Sequence, residues 1–249
     1  MALLKDLFKE IFAYAPLYVY LTIFGPVLNE AINTFSFLQR RFMPKKWEQK
    51  SPIPIFLIPG TLGGRGTMDI LKARLLLYFR DVFTLKPVRL SLVDRERNII
   101  KLNDLIDVKR RLVKAEKVII IGHSQGGIIA RRWMDIFDPK GEKTLVIITL
   151  GTPHSGSWAA ALALPLFWWS RALWQLLPPV AQNLDKSASA ARTISIRGKN
   201  DPSSLSWPYK AERLAQTIEI DGMHISMIFG KEAFQKICKA ALKKANEPH

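Results

Sequence analysis

The sequence predicts an α/β protein with a mostly parallel, doubly wound sheet. Short apolar runs alternate with longer amphipathic runs, which is typical of strands that are each followed by a helix. Apolar runs such as Val118–Ile121 carry no polar residue, as expected for strands that are covered by helices on both faces. At 249 residues the chain is long enough for one domain with a sizeable core, and too short for two typical domains.

This alternation predicts the position of each strand and helix. The strands are Ile53–Ile58, Val88–Val93, Val118–Ile121, Leu145–Leu150, Thr193–Arg197 and Thr217–Ile220. The helices are Thr67–Phe79, Asn103–Ala115, Gln125–Phe137, Glu212–Ala215 and Lys231–Ala245. Ser51, Pro52 and Pro54 mark the boundary at which the pattern begins, so the α/β domain is expected to occupy residues 51–249.

The first 50 residues predict a separate hydrophobic and basic helical segment. Residues 11–28 contain no charged side chain. As a helix they would be roughly 27 Å long, just short of a hydrocarbon core of about 30 Å. Pro16, Gly25 and Pro26 would kink or end such a helix. The run therefore fits a short spanning helix, an interfacial anchor or an extension packed on the domain, and we expect it to associate with a membrane.

Basic residues follow the apolar run and predict its orientation. Positive side chains beside an apolar segment tend to stay on the cytoplasmic side and bind anionic headgroups. We therefore expect attachment at the cytoplasmic face of the inner membrane. A cleavable signal peptide is not expected, because Asp6 and Glu10 lie in the leader and no small-residue cleavage site follows. The basic residues are Arg40, Arg41, Lys45, Lys46 and Lys50.

The overall charge indicates a polyanionic partner. The formal net charge is +16, and the positive residues are spread along the chain. No zinc-finger spacing, aromatic RNA-binding motif or basic leucine heptad accompanies them, so an anionic membrane surface is favoured over nucleic acid. The single cysteine, Cys238, cannot form an intrachain disulfide and is expected to be buried. The sequence predicts no metal and no cofactor, and it does not indicate an oligomeric state.

The segment Trp158–Val180 interrupts the alternation of strands and helices. It contains four of the seven tryptophans together with Phe167 and many alanines and leucines. Such a segment is too apolar for an ordinary surface loop, although a core helix is an alternative. Its place between two strands favours an apolar helical lid over about residues 157–190. Trp158, Phe167 and Trp168 are the candidate substrate-binding side chains.

The run Gly122-His123-Ser124-Gln125-Gly126-Gly127 predicts a nucleophilic serine. The Gly-x-Ser-x-Gly pattern here follows an apolar strand and opens a predicted helix, which is the setting of a nucleophile elbow. The turn is so tight that side chains at Gly122 or Gly126 would collide. Ser124 then projects from the sheet edge at the N-terminus of a helix, where negative charge is favoured.

A serine hydroxyl needs a base, and the chain has four histidines. His249 is the last residue, and the side chain of His123 should point away from its neighbour Ser124. His154 and His224 both follow strands, where catalytic loops lie in such sheets. Chain order favours His224, because in this kind of site the order is serine, acid, histidine.

Asp201 is the candidate acid. It ends the predicted strand Thr193–Arg197 in a polar turn, and so lies at the same sheet edge as the serine and the histidine. Asp185 and Asp221 are the alternatives, although Asp221 is close in the chain to His224. Two backbone N–H groups should bind the oxyanion. Gln125 follows the nucleophile, and Thr61 lies in the glycine-rich loop after the first strand, with Leu62 as the alternative in that loop.

These motifs together resemble the bacterial lipase and esterase branch of the α/β-hydrolases, over roughly Ile53 to Ala245. The resemblance implies that His154 belongs to a loop that shapes the site and is not the base. Those lipases commonly have His-Gly where this chain has Pro-Gly, and they are usually secreted. A looser resemblance is to membrane lipid deacylases similar to the inositol deacylases of anchor processing. The motifs are Pro59-Gly60-Thr61, Gly122-His123-Ser124-Gln125-Gly126, Gly151-Thr152-Pro153-His154-Ser155-Gly156, Gly198-x-x-Asp201 and Gly222-x-His224.

The expected function is therefore hydrolysis of a carboxylic ester, with a lipid or other apolar ester as substrate. Ser124 would form an acyl-enzyme, His224 would transfer the proton and Asp201 would orient His224. Two alternatives stay open from the sequence. One is an acyltransferase that passes the same acyl group to another alcohol, and the other is a non-catalytic membrane-bound lipid-binding module on the same fold.

Overall fold

A computed structural model describes residues 50–60, 65–87, 95–154, 156, 174, 177, 187–199, 201, 214–222, 224 and 226–247. These residues form a six-stranded sheet of β1 (Ile55–Ile58), β2 (Val82–Thr84), β3 (Val118–His123), β4 (Thr144–Leu150), β5 (Thr193–Gly198) and β6 (Gln216–Ile220). The helices are α1 (Asp69–Leu75), α2 (Arg95–Leu112), α3 (Gln125–Phe137), α4 (Ser226–Phe229) and α5 (Lys231–Ala245). Short 3-10 helices span Arg65–Met68 and Ala188–Arg192.

The sheet has the strand order β2-β1-β3-β4-β5-β6, and every neighbouring pair is parallel. The chain moves outward from β1 to β2, returns past β1 to β3, and then continues outward on the other side. The order therefore reverses between β1 and β3. Ligand sites in open parallel sheets lie beyond the carboxyl ends of the strands at such a reversal.

Two apolar layers cover the sheet, as the uninterrupted apolar strands predict. Alternate residues of β1 point to opposite faces, so Ile55 and Leu57 belong to one cluster and Phe56 and Ile58 to the other. Helices α1 and α5 contribute to the first cluster, and α2 and α3 to the second. The doubly wound α/β architecture expected from the sequence is confirmed.

Several element boundaries differ from the predicted ones. The helix expected at Asn103–Ala115 begins earlier, at Arg95; the sequence pattern missed this beginning because residues 95–98 are all polar. The helix expected at Thr67–Phe79 is helical only to Leu75, after a 3-10 turn. Leu214 and Ala215 form a bend that leads into β6, so the helix expected at Glu212–Ala215 is not present at these two residues.

The structure contains a strand, β2, that the sequence pattern did not predict. Strand β2 is only three residues long at one edge of the sheet, too short to show an alternation. The strand expected at Val88–Val93 lies outside the described residues and stays a prediction. Residues 1–49 and nearly all of the expected lid also lie outside, so the division at residue 51 stays a prediction. Within the described residues, no helix is long and apolar enough to cross a membrane.

Candidate active site

The turn between β3 and α3 consists of a single residue, Ser124. The strand ends at His123 and the helix begins at Gln125. Ser124 has φ 52° and ψ −124°, a conformation that a side-chain-bearing residue adopts at a cost of order 1–3 kcal/mol. Its N–H donates to the carbonyl of Leu150 at 2.8 Å, which ties the turn to the end of β4. The strained elbow that the motif predicts is therefore present in the backbone.

Close backbone contacts explain the glycines around Ser124. A Cβ on Gly122 would lie 2.5 Å from the carbonyl carbon of Gly126, across the turn. A Cβ on Gly126 would lie 2.3 Å from the carbonyl oxygen of Ile58, at the end of β1. Both contacts are with backbone, which cannot move aside without shifting a strand or the helix. The motif thus needs glycine at both positions for the turn to fit against the sheet.

The Gly-Thr-Pro-His loop after β4 fastens the elbow from the other side. The hydroxyl of Thr152 donates to the carbonyl oxygen of Ser124 at 2.9 Å. A Cβ on Gly127 would lie 2.1 Å from the Thr152 hydroxyl oxygen, so the second glycine after the serine leaves room for this contact. Sequence reasoning missed the role of Thr152. The paired glycines were the available signal, because they indicate that another part of the chain comes close.

Asp201 and His224 form a hydrogen-bonded pair at the same edge of the sheet. Asp201 follows β5 and is buried, and its Oδ2 lies 3.1 Å from Nδ1 of His224, which follows β6. An ionised carboxylate only accepts hydrogen bonds, so Nδ1 carries the proton and the lone pair of the neutral ring lies on Nε2. The side chain of His224 is 20% exposed. The pair therefore has the arrangement of a general base and the acid that orients it.

The alternative acid near His224 points elsewhere. The Asp221 side chain is 83% exposed and forms an ion pair with Lys199 at 3.1 Å. Asp185, the other alternative, lies outside the described residues. Of the two candidate acids that the structure describes, Asp201 and Asp221, it is Asp201 that forms the hydrogen bond with His224.

The strand ends bring this pair next to the elbow. The ring of His224 lies 4.7 Å, between centroids, from the ring of His123, the residue before Ser124. At Gly151, which directly follows β4 and has φ 54°, a Cβ would lie 2.9 Å from both Asp201 Oδ2 and His224 Nδ1. The pair thus lies over the end of β4, the strand beside the one that carries the serine.

The glycine after the first strand closes the other side of the site. A Cβ on Gly60 would lie 3.0 Å from the Cβ of Ser124. The loop that begins here contains Thr61, the second candidate oxyanion donor, which lies outside the described residues. Gln125, the first donor, is the first residue of α3, so its amide lies at the N-terminus of that helix. Trp158, Phe167 and Trp168 also lie outside the described part of the chain.

His154 is a buried structural residue in this arrangement. The guanidinium of Arg131 can only donate, so its Nη1, at 2.9 Å, donates to His154 Nδ1. The proton of the neutral ring is then on Nε2, which donates to the hydroxyl of Thr149 at 2.9 Å. Burial, followed by the charge of Arg131, lowers the pKa of His154 well below 6.5. Both ring nitrogens of His154 therefore form hydrogen bonds within the fold.

Metal ligation has no support in the described part of the chain. No group of three or more histidine, cysteine, aspartate or glutamate side chains there is arranged to hold a metal ion. Ser124, His224 and Asp201 are residue types that together can carry out acyl transfer through a serine.

Known structures share this fold at low sequence identity. A carboxylesterase structure from Nitrososphaera gargenis is 16% identical, with a TM-score of 0.55, covering 78% of this chain and 90% of that one. An esterase from Pyrococcus furiosus is 15% identical, with a TM-score of 0.58, covering 78% and 82%. A mature Bacillus licheniformis lipase is 19% identical, with a TM-score of 0.58, covering 76% and 92%. The protein has the α/β-hydrolase fold.

A family model also matches the central part of the chain. The model is described as a PGAP1-like alpha/beta domain, and it matches residues 90–210. That range includes Ser124 and Asp201, whereas His224 lies beyond it. No curated protein matches the chain in sequence.

The two buried histidines should make the stability of the protein depend on pH. Burial, with a smaller contribution from the neighbouring His224, lowers the pKa of His123 from 6.5 to about 3. Each of His123 and His154 therefore binds a proton more readily in the unfolded chain than in the folded one. The free energy of unfolding should fall as the pH drops below about 6.5 and continue to fall towards pH 3.

Urea unfolding between pH 7 and 4 measures this slope. Replacing one histidine, as in His123→Gln or His154→Gln, should make the slope shallower by roughly 1 kcal/mol per pH unit. Asp201 raises the pKa of His123 and Arg131 lowers that of His154, and both contributions are already included in the directions given above. Equal slopes in the wild type and both variants would contradict the assignment of these rings as neutral and buried.

Proposed function

We propose that the protein is a serine hydrolase that cleaves carboxylic esters through an acyl-enzyme. The observation that carries the proposal is the Asp201–His224 hydrogen bond beside the strained turn at Ser124. Acyl transfer through a serine uses these three groups together: a buried carboxylate, an imidazole with its lone pair on Nε2 and a serine in a strained turn. The carboxylesterase, the esterase and the lipase that share the fold support the proposal.

In the proposed reaction, Nε2 of His224 takes the proton from the Ser124 hydroxyl while Oγ attacks the ester carbonyl carbon. The tetrahedral intermediate collapses, the bond to the alkoxy oxygen breaks, and His224 returns the proton to the departing alcohol. Water then attacks the acyl-enzyme with the same proton transfers, which releases the acid and regenerates Ser124. Asp201 keeps the proton on Nδ1 and stabilises the imidazolium that forms in each half of the reaction.

The oxyanion of each tetrahedral intermediate is assigned to two backbone N–H groups. The amide of Gln125 lies at the N-terminus of α3, where the helix dipole also favours negative charge. The second donor is assigned to Thr61 in the loop after β1. The close approach of Gly60 to Ser124 supports this assignment, because it brings the beginning of that loop to the nucleophile.

A lipid ester is the proposed substrate class. The proposal rests on the tryptophan-rich segment Trp158–Val180, in which Trp158, Phe167 and Trp168 would contact the acyl chain, and on the apolar run 11–28. The net charge of +16 favours binding at an anionic membrane surface, for which we propose the cytoplasmic face of the inner membrane. Enzyme and substrate would then meet at the bilayer surface.

Replacement of the nucleophile tests the reaction class. Ser124→Ala should abolish hydrolysis of nitrophenyl esters and covalent labelling by a fluorophosphonate, because no other hydroxyl lies in the elbow. The substitution keeps the Cβ and should leave the thermal transition close to that of the wild type. Labelling that persists in a folded Ser124→Ala protein would show that the nucleophile is another residue.

The acid is tested by Asp201→Asn, with Asp221→Asn as the matched control. An amide at position 201 can donate to Nδ1 and so favours the wrong tautomer of His224; kcat should fall by about 10³–10⁴-fold. Asp221 is exposed and pairs with Lys199, so Asp221→Asn should keep kcat within about twofold. Steady-state kinetics on a soluble ester measures both variants. An equal loss in the two would refute the assignment of Asp201.

The substrate class is tested with nitrophenyl esters of increasing chain length. A lipid hydrolase should show higher kcat/KM for octanoyl than for acetyl esters, because each buried methylene contributes about 0.8 kcal/mol. Anionic vesicles should stimulate the full chain more than zwitterionic ones. A preference for acetyl esters together with no response to anionic vesicles would argue against a lipid substrate.

A further inference from the structure

We propose that His123 is a positioning residue that holds the backbone of His224 in place for proton transfer at Ser124. The proposal rests on the proposed function, since it assigns a role around the same base. His123 is the last residue of β3 and is 2% exposed. From the sequence, its side chain was expected only to point away from Ser124, and no role was assigned to it. In the structure its ring lies between two loops of the site.

The contact with His224 is a backbone hydrogen bond. Nε2 of His123 lies 3.0 Å from the carbonyl oxygen of His224. A carbonyl oxygen only accepts, so the proton is on Nε2 and His123 is the donor. The two rings also lie 4.7 Å apart between centroids, at an interplanar angle of 44°. One side chain therefore contacts both the backbone and the ring of the proposed base.

The opposite edge of the His123 ring faces the first loop. A Cβ on Gly60 would lie 2.9 Å from His123 Nδ1, so the ring packs directly against that glycine. Among the described residues, none donates a hydrogen bond to Nδ1. The ring thus packs between Gly60 and His224, and its hydrogen bond to a described residue is the one to the His224 carbonyl.

The loop that carries His224 needs such a contact because it follows the edge strand. Strand β6 is the outermost strand, and Gln216, Thr217 and Glu219 are exposed. It pairs with β5 alone within the described sheet. The bond from His123 connects this loop directly to β3, the strand that leads into Ser124. One side chain therefore links the backbone of the proposed base to the strand that leads into the nucleophile.

The charge of His123 is also suited to this role. In the proposed reaction His224 becomes an imidazolium, and a second positive ring at 4.7 Å would oppose that step. Burial keeps His123 neutral at the pH of ester hydrolysis. A neutral ring supplies the N–H donor without repelling the imidazolium of His224. A lysine or arginine at this position would supply a donor but would repel that cation.

Three variants separate the hydrogen bond from the volume of the ring. His123→Phe keeps a ring of similar size and removes the donor. His123→Gln carries its amide nitrogen at about the reach of Nε2, whereas His123→Asn reaches only about as far as Nδ1. We expect His123→Phe and His123→Asn to lower kcat by about 10–100-fold with KM within about threefold. We expect His123→Gln to recover most of kcat.

Fluorophosphonate labelling provides the readout that a purely structural role would not change. The labelled fraction at the end of the reaction counts folded sites, and the labelling rate reports activation of Ser124. Positioning predicts an unchanged final fraction and a labelling rate that falls in parallel with kcat in His123→Phe. A lower final fraction with an unchanged kcat per labelled site would overturn the proposal, because only folding would then be affected.

The Gln and Asn variants decide the outcome where His123→Phe does not fold. Equal kcat per labelled site in these two variants would overturn the proposal, and a clear advantage for Gln would support it. Failure of the proposed function has a different signature, namely labelling that survives in Ser124→Ala. If Ser124→Ala is inactive and His123→Phe keeps wild-type kcat per labelled site, only the role of His123 is refuted.

Discussion

The site depends on how little space surrounds the one-residue turn at Ser124. The chain reverses from β3 into α3 while the end of β1 and the loop after β4 press against the turn. Without the glycines at 122, 126 and 127, the helix could not begin so close to the strand. The positive φ of Ser124 is the conformational cost of this arrangement, and the hydrogen bonds from Thr152 and to Leu150 offset it.

The parallel sheet converts this local constraint into a site. All strands run in one direction, so the residues that follow β1, β3, β4, β5 and β6 emerge at one edge. Asp201 and His224 are far from Ser124 in the chain, yet only β4 and β5 separate β3 from β6. Gly151, directly after β4, has no side chain and so lets the Asp201–His224 pair lie close to its backbone. The spacing of the three side chains thus follows from strand order.

The sequence was sufficient for the features that local patterns encode. The motif around Ser124 and the apolar strands predicted the elbow and the sheet, and strand ends brought Asp201 and His224 together as candidates. Strand β2 was missed because three residues at an edge carry no periodicity. The paired glycines indicated that another part of the chain comes close, but that this part is Thr152 could not be predicted, since it depends on the offset between two neighbouring strand ends. Contacts of this kind are set by packing between distant segments.

The three described histidines show how environment divides one residue type among different tasks. His154 is buried with both nitrogens occupied by Arg131 and Thr149, so it has no lone pair to offer a substrate. His123 is buried and donates its N–H to the backbone carbonyl of His224. His224 has its Nδ1 on a carboxylate and remains partly open to solvent. Of these three histidines, His224 is the one whose tautomer is set by a carboxylate and whose side chain is partly exposed, and the proposed proton-transfer base requires such an environment.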